Sequence, residues 1–252
     1  MSPADLLTCM IAIADEAGRV VLEHYARGTE VRTKADASPV TAADEAAETL
    51  ILAGLERLGP DIPVVAEERV SQGDVPDLAG GRFFLVDPLD GTKEFLSRNG
   101  EFTVNIALIE DRRPRMGVVL APARDLAWWG LVGEGAHRRQ GDAVHPIRVR
   151  PRPAEGVIAI ASRSHRDAET EAFLEAAGVA ETISAGSSLK FCRVAEGRAD
   201  VYPRFGPTME WDTAAGQAVL EAAGGRVTTP DGALFLYQKP GFRNGPFVAH
   251  GG

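Results

Sequence analysis

An apolar run, Phe83-Phe84-Leu85-Val86, leads directly into Asp87-Pro88-Leu89-Asp90-Gly91-Thr92. The run predicts a buried strand, and that strand delivers two carboxylates, three positions apart, onto a turn. Pro88 fixes one backbone angle, and Gly91 permits a close turn or a close approach of backbone. Hard oxygen donors of this kind, carboxylate and backbone carbonyl, are what Mg2+ selects. If a helix starts at the turn, the amides of Gly91 and Thr92 face a phosphate. An ordinary Asp/Gly turn accounts for the two dipeptides alone. The whole run of six behind a buried strand favours a cation site.

The chain has 252 residues, 44% of them hydrophobic and 25% charged. These proportions suit a globular fold with a real core and exclude disordered, collagen-like and coiled-coil chains. The net charge of −9 argues against coating nucleic acid or an anionic membrane, so no nucleic-acid partner is expected. An anionic substrate is still allowed, because bound cations reverse the local sign. Two cysteines, Cys9 and Cys192, make neither a disulfide framework nor a thiolate zinc site, which points to a reducing compartment. Asp5, Asp15 and Glu16 interrupt the N-terminal segment, so no signal peptide is expected. No stretch reaches 18 apolar residues, so no transmembrane segment is expected. The expected location is the cytoplasm.

Helical spacing of apolar residues predicts a helix over 4–26. Thr41 with Asp44 reads as an acidic capping box opening a helix from Ala42 to about Leu58, which Gly59-Pro60 ends. Strands are predicted at 62–66, 83–86, 102–109, 116–121 and 126–132, with a Gly-, Asp- and Pro-rich loop over 71–81. After Pro146, Pro151 and Pro153 the pattern changes. A strand is predicted at 157–161, a helix at 167–177, a helix near 188–196, a strand at 199–202, a helix at 213–223 and a strand at 226–229. The first half therefore reads as α+β and the second as α/β, with a boundary near residue 155.

Further acids stand at predicted element ends. Glu67 and Glu68 follow the strand IPVVA (62–66), either as solvated surface or as a pair with one member facing a site. Asp212, in Trp211-Asp212-Thr213-Ala214-Ala215-Gly216, is explained by a helix N-cap or by a carboxylate aimed at a cation. The small residues after it permit close packing beneath a site. Lys34 and Asp44 flank the loop KADASPVTAAD (34–44), where Asp44 either favours the helix dipole or helps order an attacking water. Gly186-Ser187-Ser188-Leu189-Lys190-Phe191 opens a helix, as a simple Ser cap or as an anion site. Arg204 can add a bidentate phosphate or carboxylate contact, and His165 is either that or plain surface. Asp44, Glu67, Asp87, Asp90 and Asp212 form one constellation. If these five acids converge, their repulsion calls for cations, and two or more Mg2+ would support metal-assisted phosphoryl chemistry.

Taken together, Glu67-Glu68, VDPLDGTKEF (86–95), NGEFTVNIALI (99–109), GSSLKFC (186–192), VAEGRADVYPRFGPT (194–208) and WDTAAG (211–216) resemble the inositol monophosphatase superfamily of Mg2+-dependent, lithium-sensitive phosphatases. The likeness is nearer still to its 3′(2′),5′-bisphosphate nucleotidase branch, the CysQ type, and covers nearly the whole chain. The resemblance implies the layered αβαβα sugar-phosphatase fold. It divides the chain into an N-terminal α+β part, 1–155, with most metal ligands, and a C-terminal α/β part, 156–252, completing the metal site and binding the nucleotide. It implies that Glu67, Asp87, Asp90, Asp212 and the carbonyl of Leu89 bind two or three Mg2+. Asp44, Glu67 and Thr92 would serve the nucleophilic water, and the amides of Gly91 and Thr92 the scissile phosphate. Ser187, Lys190, Arg204, Asp212 and His165 would bind the nucleotide and its second phosphate. The implied reaction is hydrolysis of the 3′-phosphate of adenosine 3′,5′-bisphosphate, and of 3′-phosphoadenylyl sulfate. Alternatives are the same chemistry on inositol monophosphate or fructose 1,6-bisphosphate, and a non-catalytic metal-dependent nucleotide sensor. A homodimer and a loose association with the inner membrane are both compatible with these expectations.

Overall fold

The structure is a computed structural model that describes residues 1–28, 31–33, 39–162 and 167–252. In chain order it runs α1 (Pro3–Arg27), β1 (Val31–Thr33), β2 (Pro39–Thr41), α2 (Ala42–Leu58), β3 (Val64–Ala66), α3 (Glu67–Ser71), β4 (Arg82–Asp90) and α4 (Thr92–Leu96). A meander follows: β5 (Thr103–Glu110), β6 (Arg113–Ala121), β7 (Leu126–Leu131), β8 (Gly135–Gln140) and β9 (Ala143–Ile147). Then come β10 (Val157–Ala161), α5 (Ala168–Ala176), β11 (Val179–Ser184), α6 (Leu189–Ala195), β12 (Val201–Arg204), β13 (Thr208–Met209) and α7 (Glu210–Ala222). The chain closes with β14 (Arg226–Thr228), β15 (Arg243–Asn244) and β16 (Phe247–His250).

Two sheets dominate. The larger has the order β3-β4-β5-β6-β7-β8-β9 and is antiparallel except for β3 against β4. The smaller has the order β11-β10-β12-β16-β14, with β10 parallel to both its neighbours and β16 antiparallel to both of its own. Alternation along β4 sends side chains into two different cores. Phe84 and Val86 pack with α1 and α2, through Met10, Ala14, Ile51 and Leu55. Phe83 and Leu85 pack on the other face, with Leu189 and Phe191 of α6 and Ala215 and Val219 of α7. That second core continues into Ile160, Tyr202 and Phe247 of the smaller sheet, whose far face meets Leu174 of α5. The layers are therefore α1 and α2, the large sheet, α6 and α7, the small sheet, and α5: an αβαβα sandwich.

Small residues let the central layer lie flat. A Cβ on Gly117 would stand 2.7 Å from the carbonyl of Ala215, so β6 and α7 touch backbone to backbone. This is the close packing that Ala214, Ala215 and Gly216 predict, and it fixes the helix that carries Asp212.

Several elements differ from the sequence expectation. β8 and β9 carry few apolar residues, because they form the half-exposed rim of the large sheet, and Pro146 is tolerated at that edge. Glu67 and Glu68 follow β3 directly, as expected, but open the short helix α3 there. α7 begins at Glu210, three residues before the predicted start, so Asp212 is not its N-cap. Met209 occupies that position, and Asp212 reaches back to accept its N–H at 2.7 Å. Neither Ser187 nor Ser188 caps α6 through its side chain, because both hydroxyls are drawn to the end of β4.

Candidate active site

β4 ends in an irregularity. Its pairing with β5 is regular as far as Asp87 opposite Asn105, then slips so that Asp90 faces Thr103. Pro88 removes a donor from the ladder there, and Asp87 Oδ1 accepts the N–H of Leu89 at 3.0 Å instead. Gly91 follows in the left-handed region, with φ +88°. A side chain at Gly91 would also meet Ser187 Oγ at 2.1 Å, so this turn admits only glycine. α4 starts at the next residue, Thr92, whose hydroxyl donates to the carbonyl of Leu89 at 3.5 Å.

The remaining acids come from three helix starts. Thr41 caps α2 and Asp44 completes the capping box, accepting the N–H and hydroxyl of Thr41 at 2.8 and 2.7 Å. One turn further along the same face, Glu48 accepts the N–H groups of Glu68 and Arg69 at 2.8 and 3.0 Å. It thereby supplies the cap that α3, and hence Glu67, lacks from its own sequence. Asp212 sits in the first turn of α7.

These carboxylates feel one another. Burial pushes the Asp87 carboxyl well above the ordinary carboxylate range, and Glu67, Asp90, Asp212 and Asp44 push it further. Asp212 is raised by burial first and then by Asp90 and Glu67. Asp90 is raised by burial, against the pull of Lys190, Ser188 and Asn105. Glu48 is pushed up to about 7 by burial, with the like charges of Glu68 and Glu67 adding to it. Among the described residues no three acids are gathered tightly enough to hold an ion as they stand. Each of Asp44, Asp87, Asp90 and Asp212 keeps an oxygen on nearby donors.

Glu67, Asp90, Thr92, Lys190, Arg204 and Asp212 line a single cavity of about 250 Å3. Gly91 and Ser187 line it too, while Asp87, the Leu89 side chain and Asp44 lie buried behind it. Lys190 is held by the carbonyls of Ser187 (2.7 Å) and Ala185 (3.4 Å). Burial lowers its pKa to about 8, with the Asp90 charge opposing. Arg204 is held by the carbonyls of Gly206 and Pro207, each at 3.2 Å. The Ser187 hydroxyl is engaged with the carbonyls of Asp90 (2.9 Å) and Glu101 (2.7 Å). His165 and Lys34 lie outside the described residues.

The sequence did not single out Glu48, Glu101 or Asn105, and read Ser188 as a cap or as part of an anion site, not as a partner of Asp90. Asn105 shares a strand face with Thr103, and both donate to Asp90 Oδ2, at 3.3 and 3.4 Å. The signal for Glu48 was its position four residues after Asp44. Glu101 carried no local signal.

Comparison with known proteins bears on the fold and the family. Residues 2–250 match the inositol monophosphatase family. The 3′(2′),5′-bisphosphate nucleotidase CysQ of Escherichia coli O157:H7 is 47% identical over 246 residues, covering 94% of this chain and 98% of that protein. The CysQ protein of the same name from Buchnera aphidicola is 39% identical, covering 97% and 93%. Among solved structures, CysQ from Bacteroides thetaiotaomicron superposes with a TM-score of 0.83 at 36% identity, covering 98% of this chain and 97% of that one. The Thermotoga maritima IMPase gives 0.80 at 26%, covering 98% and 92%. With its layered fold, its DPLDGT turn and its acids at one cavity, the chain belongs to the inositol monophosphatase family.

Proposed function

We propose that this chain is a Mg2+-dependent 3′(2′),5′-bisphosphate nucleotidase. It would remove the 3′-phosphate of adenosine 3′,5′-bisphosphate to give AMP and phosphate, and would also act on 3′-phosphoadenylyl sulfate. The carrying observation is one cavity lined both by acids, Glu67, Asp90 and Asp212, and by cations, Lys190 and Arg204. The identity to proteins named 3′(2′),5′-bisphosphate nucleotidase supports the substrate class.

Enzymes of this family depend on a divalent metal, generally Mg2+. The donor set fits such an ion. It is made of hard oxygens, and buried carboxylates that raise one another's pKa are stabilised by a cation. Glu67, Asp87, Asp90, Asp212 and the Leu89 carbonyl would hold two or three ions. Bound Mg2+ supplies a water of lowered pKa and neutralises charge on the phosphoryl and departing ribose oxygens.

The chain's own residues do the rest. Glu67 and Thr92 orient the attacking water, and Glu67 accepts its proton; Asp44 supports that water from behind. The Gly91 and Thr92 amides hold the scissile phosphate at the start of α4. The water oxygen bonds to phosphorus as the bond to the ribose 3′-oxygen breaks; that oxygen takes a proton from solvent, and Glu67 returns to solvent the one it accepted. Lys190 and Arg204, with His165, balance and orient the second phosphate, while Ser187 lines the cavity with its hydroxyl turned to the carbonyls of Asp90 and Glu101. On this proposal residues 1–155 carry most metal ligands and residues 156–252 complete the site and bind the nucleotide. No helix of the described residues is long and apolar enough to cross a membrane, and the proposed location is the cytoplasm.

The test is phosphate release by the purified protein from adenosine 3′,5′-bisphosphate, inositol 1-phosphate and fructose 1,6-bisphosphate, with Mg2+ and with EDTA. A preference for the nucleotide that EDTA abolishes is the expected result. Faster turnover of either other substrate, or none of any, overturns it.

A further inference from the structure

Three consecutive residues, Gly186, Ser187 and Ser188, are fastened to the end of β4 and to Glu101, two residues before β5. Gly186 donates its N–H to Glu101 Oε2 at 2.9 Å. The Ser187 hydroxyl is shared between the carbonyls of Asp90 and Glu101, and Ser187 itself is held at φ +51°, a left-handed conformation unusual for serine. Ser188 gives Asp90 Oδ2 its N–H at 2.7 Å and its hydroxyl at 3.0 Å. Glu101 is itself buried, and Arg124 fixes it, with Nη2 on Glu101 Oε1 at 2.9 Å and Nε on the Gly100 carbonyl at 3.1 Å.

We propose that Glu101, braced by Arg124, is a positioning residue for the metal-binding acid Asp90. It grips the Gly186 amide, which sets the strained turn at Ser187, which in turn aims both Ser188 donors at Asp90. Glu101 touches neither substrate nor metal; it acts through the turn. The inference rests on the assignment of Asp90 as a metal ligand.

Two conservative variants separate reach from charge. Glu101→Asp keeps the charge facing Arg124 but is one methylene short of the Gly186 amide. Glu101→Gln keeps the reach and gives up the charge. Hydrogen exchange of the Gly186 and Ser188 amides reads the clasp without metal or substrate. Mg2+ titration calorimetry without substrate reads its effect on the ligand. Glu101→Asp is expected to lower protection at both amides by about tenfold or more and to weaken Mg2+ binding about tenfold, within the range for residues that orient metal ligands. Glu101→Gln keeps one acceptor for the Gly186 amide but turns an NH2 toward Arg124, so it should fall between the unsubstituted chain and Glu101→Asp in both. A Glu101→Asp protein with unchanged exchange at Ser188, or a larger loss in Glu101→Gln, overturns the clasp. An unsubstituted chain that binds no Mg2+ overturns the proposed function instead, and exchange at Ser188 still decides the clasp.

Discussion

One carboxylate oxygen of Asp90 accepts both the backbone N–H and the hydroxyl of Ser188, at 2.7 and 3.0 Å. The two residues are 98 positions apart, one ending β4 of the large sheet and the other preceding α6. The same oxygen also takes Thr103 and Asn105 from β5. Asp90 is thus oriented from two directions, and the Ser188 hydroxyl also lies 2.9 Å from the carbonyl of Asp212. Two acids proposed to share metal ions are joined through one serine.

Ser188→Ala should therefore weaken Mg2+ activation by about 10- to 100-fold, the usual cost of removing a partner of a metal ligand. Asp90→Asn removes the ligand charge itself and should lower kcat by at least about 100-fold. Steady-state rates across a Mg2+ series check both. Near-normal activation of Asp90→Asn would falsify the metal assignment.

Mutual repulsion among the acids predicts a trade of stability against function. Asn at position 212 can still accept the Met209 N–H, while the charge raised by burial, Asp90 and Glu67 is gone. Without metal, Asp212→Asn should melt higher, by about 2–4 °C for each kcal/mol gained in a chain of this size. With saturating Mg2+ the order should reverse, because the unsubstituted chain gains binding energy that the variant lacks. Calorimetric melting with EDTA and with Mg2+ measures both orders.

Much of the site was legible because its signals are local. The strand and turn from Phe83 to Thr92, the capping box of Thr41 and Asp44, and the small residues after Asp212 each depend on neighbours within a few positions. What was not legible depends on distant partners. The Ser187 hydroxyl meets carbonyls 97 and 86 residues away, and Glu48 caps a helix that starts nineteen positions later. The start of α7 was expected three residues late, and the N-cap alternative for Asp212 fails, because Met209, an unusual capping residue, precedes Glu210 as the cap. The β8 and β9 strands escaped notice because β9 is an exposed sheet edge and β8 beside it is only partly covered, so neither needs much apolar alternation.

The raised acids also set a pH dependence for the metal-free protein. Glu48 titrates at about 7 when folded, against 4.5 for its ordinary value, and Asp87 and Asp212 are shifted the same way. The folded state therefore keeps protons that the unfolded chain has released. Their stabilising contribution is full below the ordinary carboxylate range and is lost as pH rises through the folded values. The melting temperature in EDTA should fall from pH 5 to pH 8, and Mg2+ should flatten that slope. A flat or rising profile in EDTA would contradict the raised values.

Lys190 carries the opposite shift, lowered to about 8 by burial while its ammonium holds the Ser187 carbonyl. A lysine facing the second phosphate must be charged to bind it. KM for the nucleotide should rise above pH 8 with a smaller change in kcat. Lys190→Met should raise KM at pH 7 and remove that rise. A pH profile of KM and kcat for both proteins checks the split.

Glu48 gives a last expectation, one that separates support from chemistry. Its two oxygens cap α3 across the gap from α2, and nothing in α3 replaces them. Glu48→Ala leaves the buried Glu68 amide and its neighbour at Arg69 without an acceptor, which costs about 2 kcal/mol or more. That corresponds to a melting temperature lower by about 4–8 °C. Because α3 begins at Glu67, the same change should displace that acid and weaken Mg2+ activation. Glu48→Gln keeps one acceptor oxygen and sheds a carboxylate charge that burial opposes, so it should lose less of both. If Glu48→Ala lowers the melting temperature but leaves Mg2+ activation unchanged, Glu48 supports the fold without positioning Glu67.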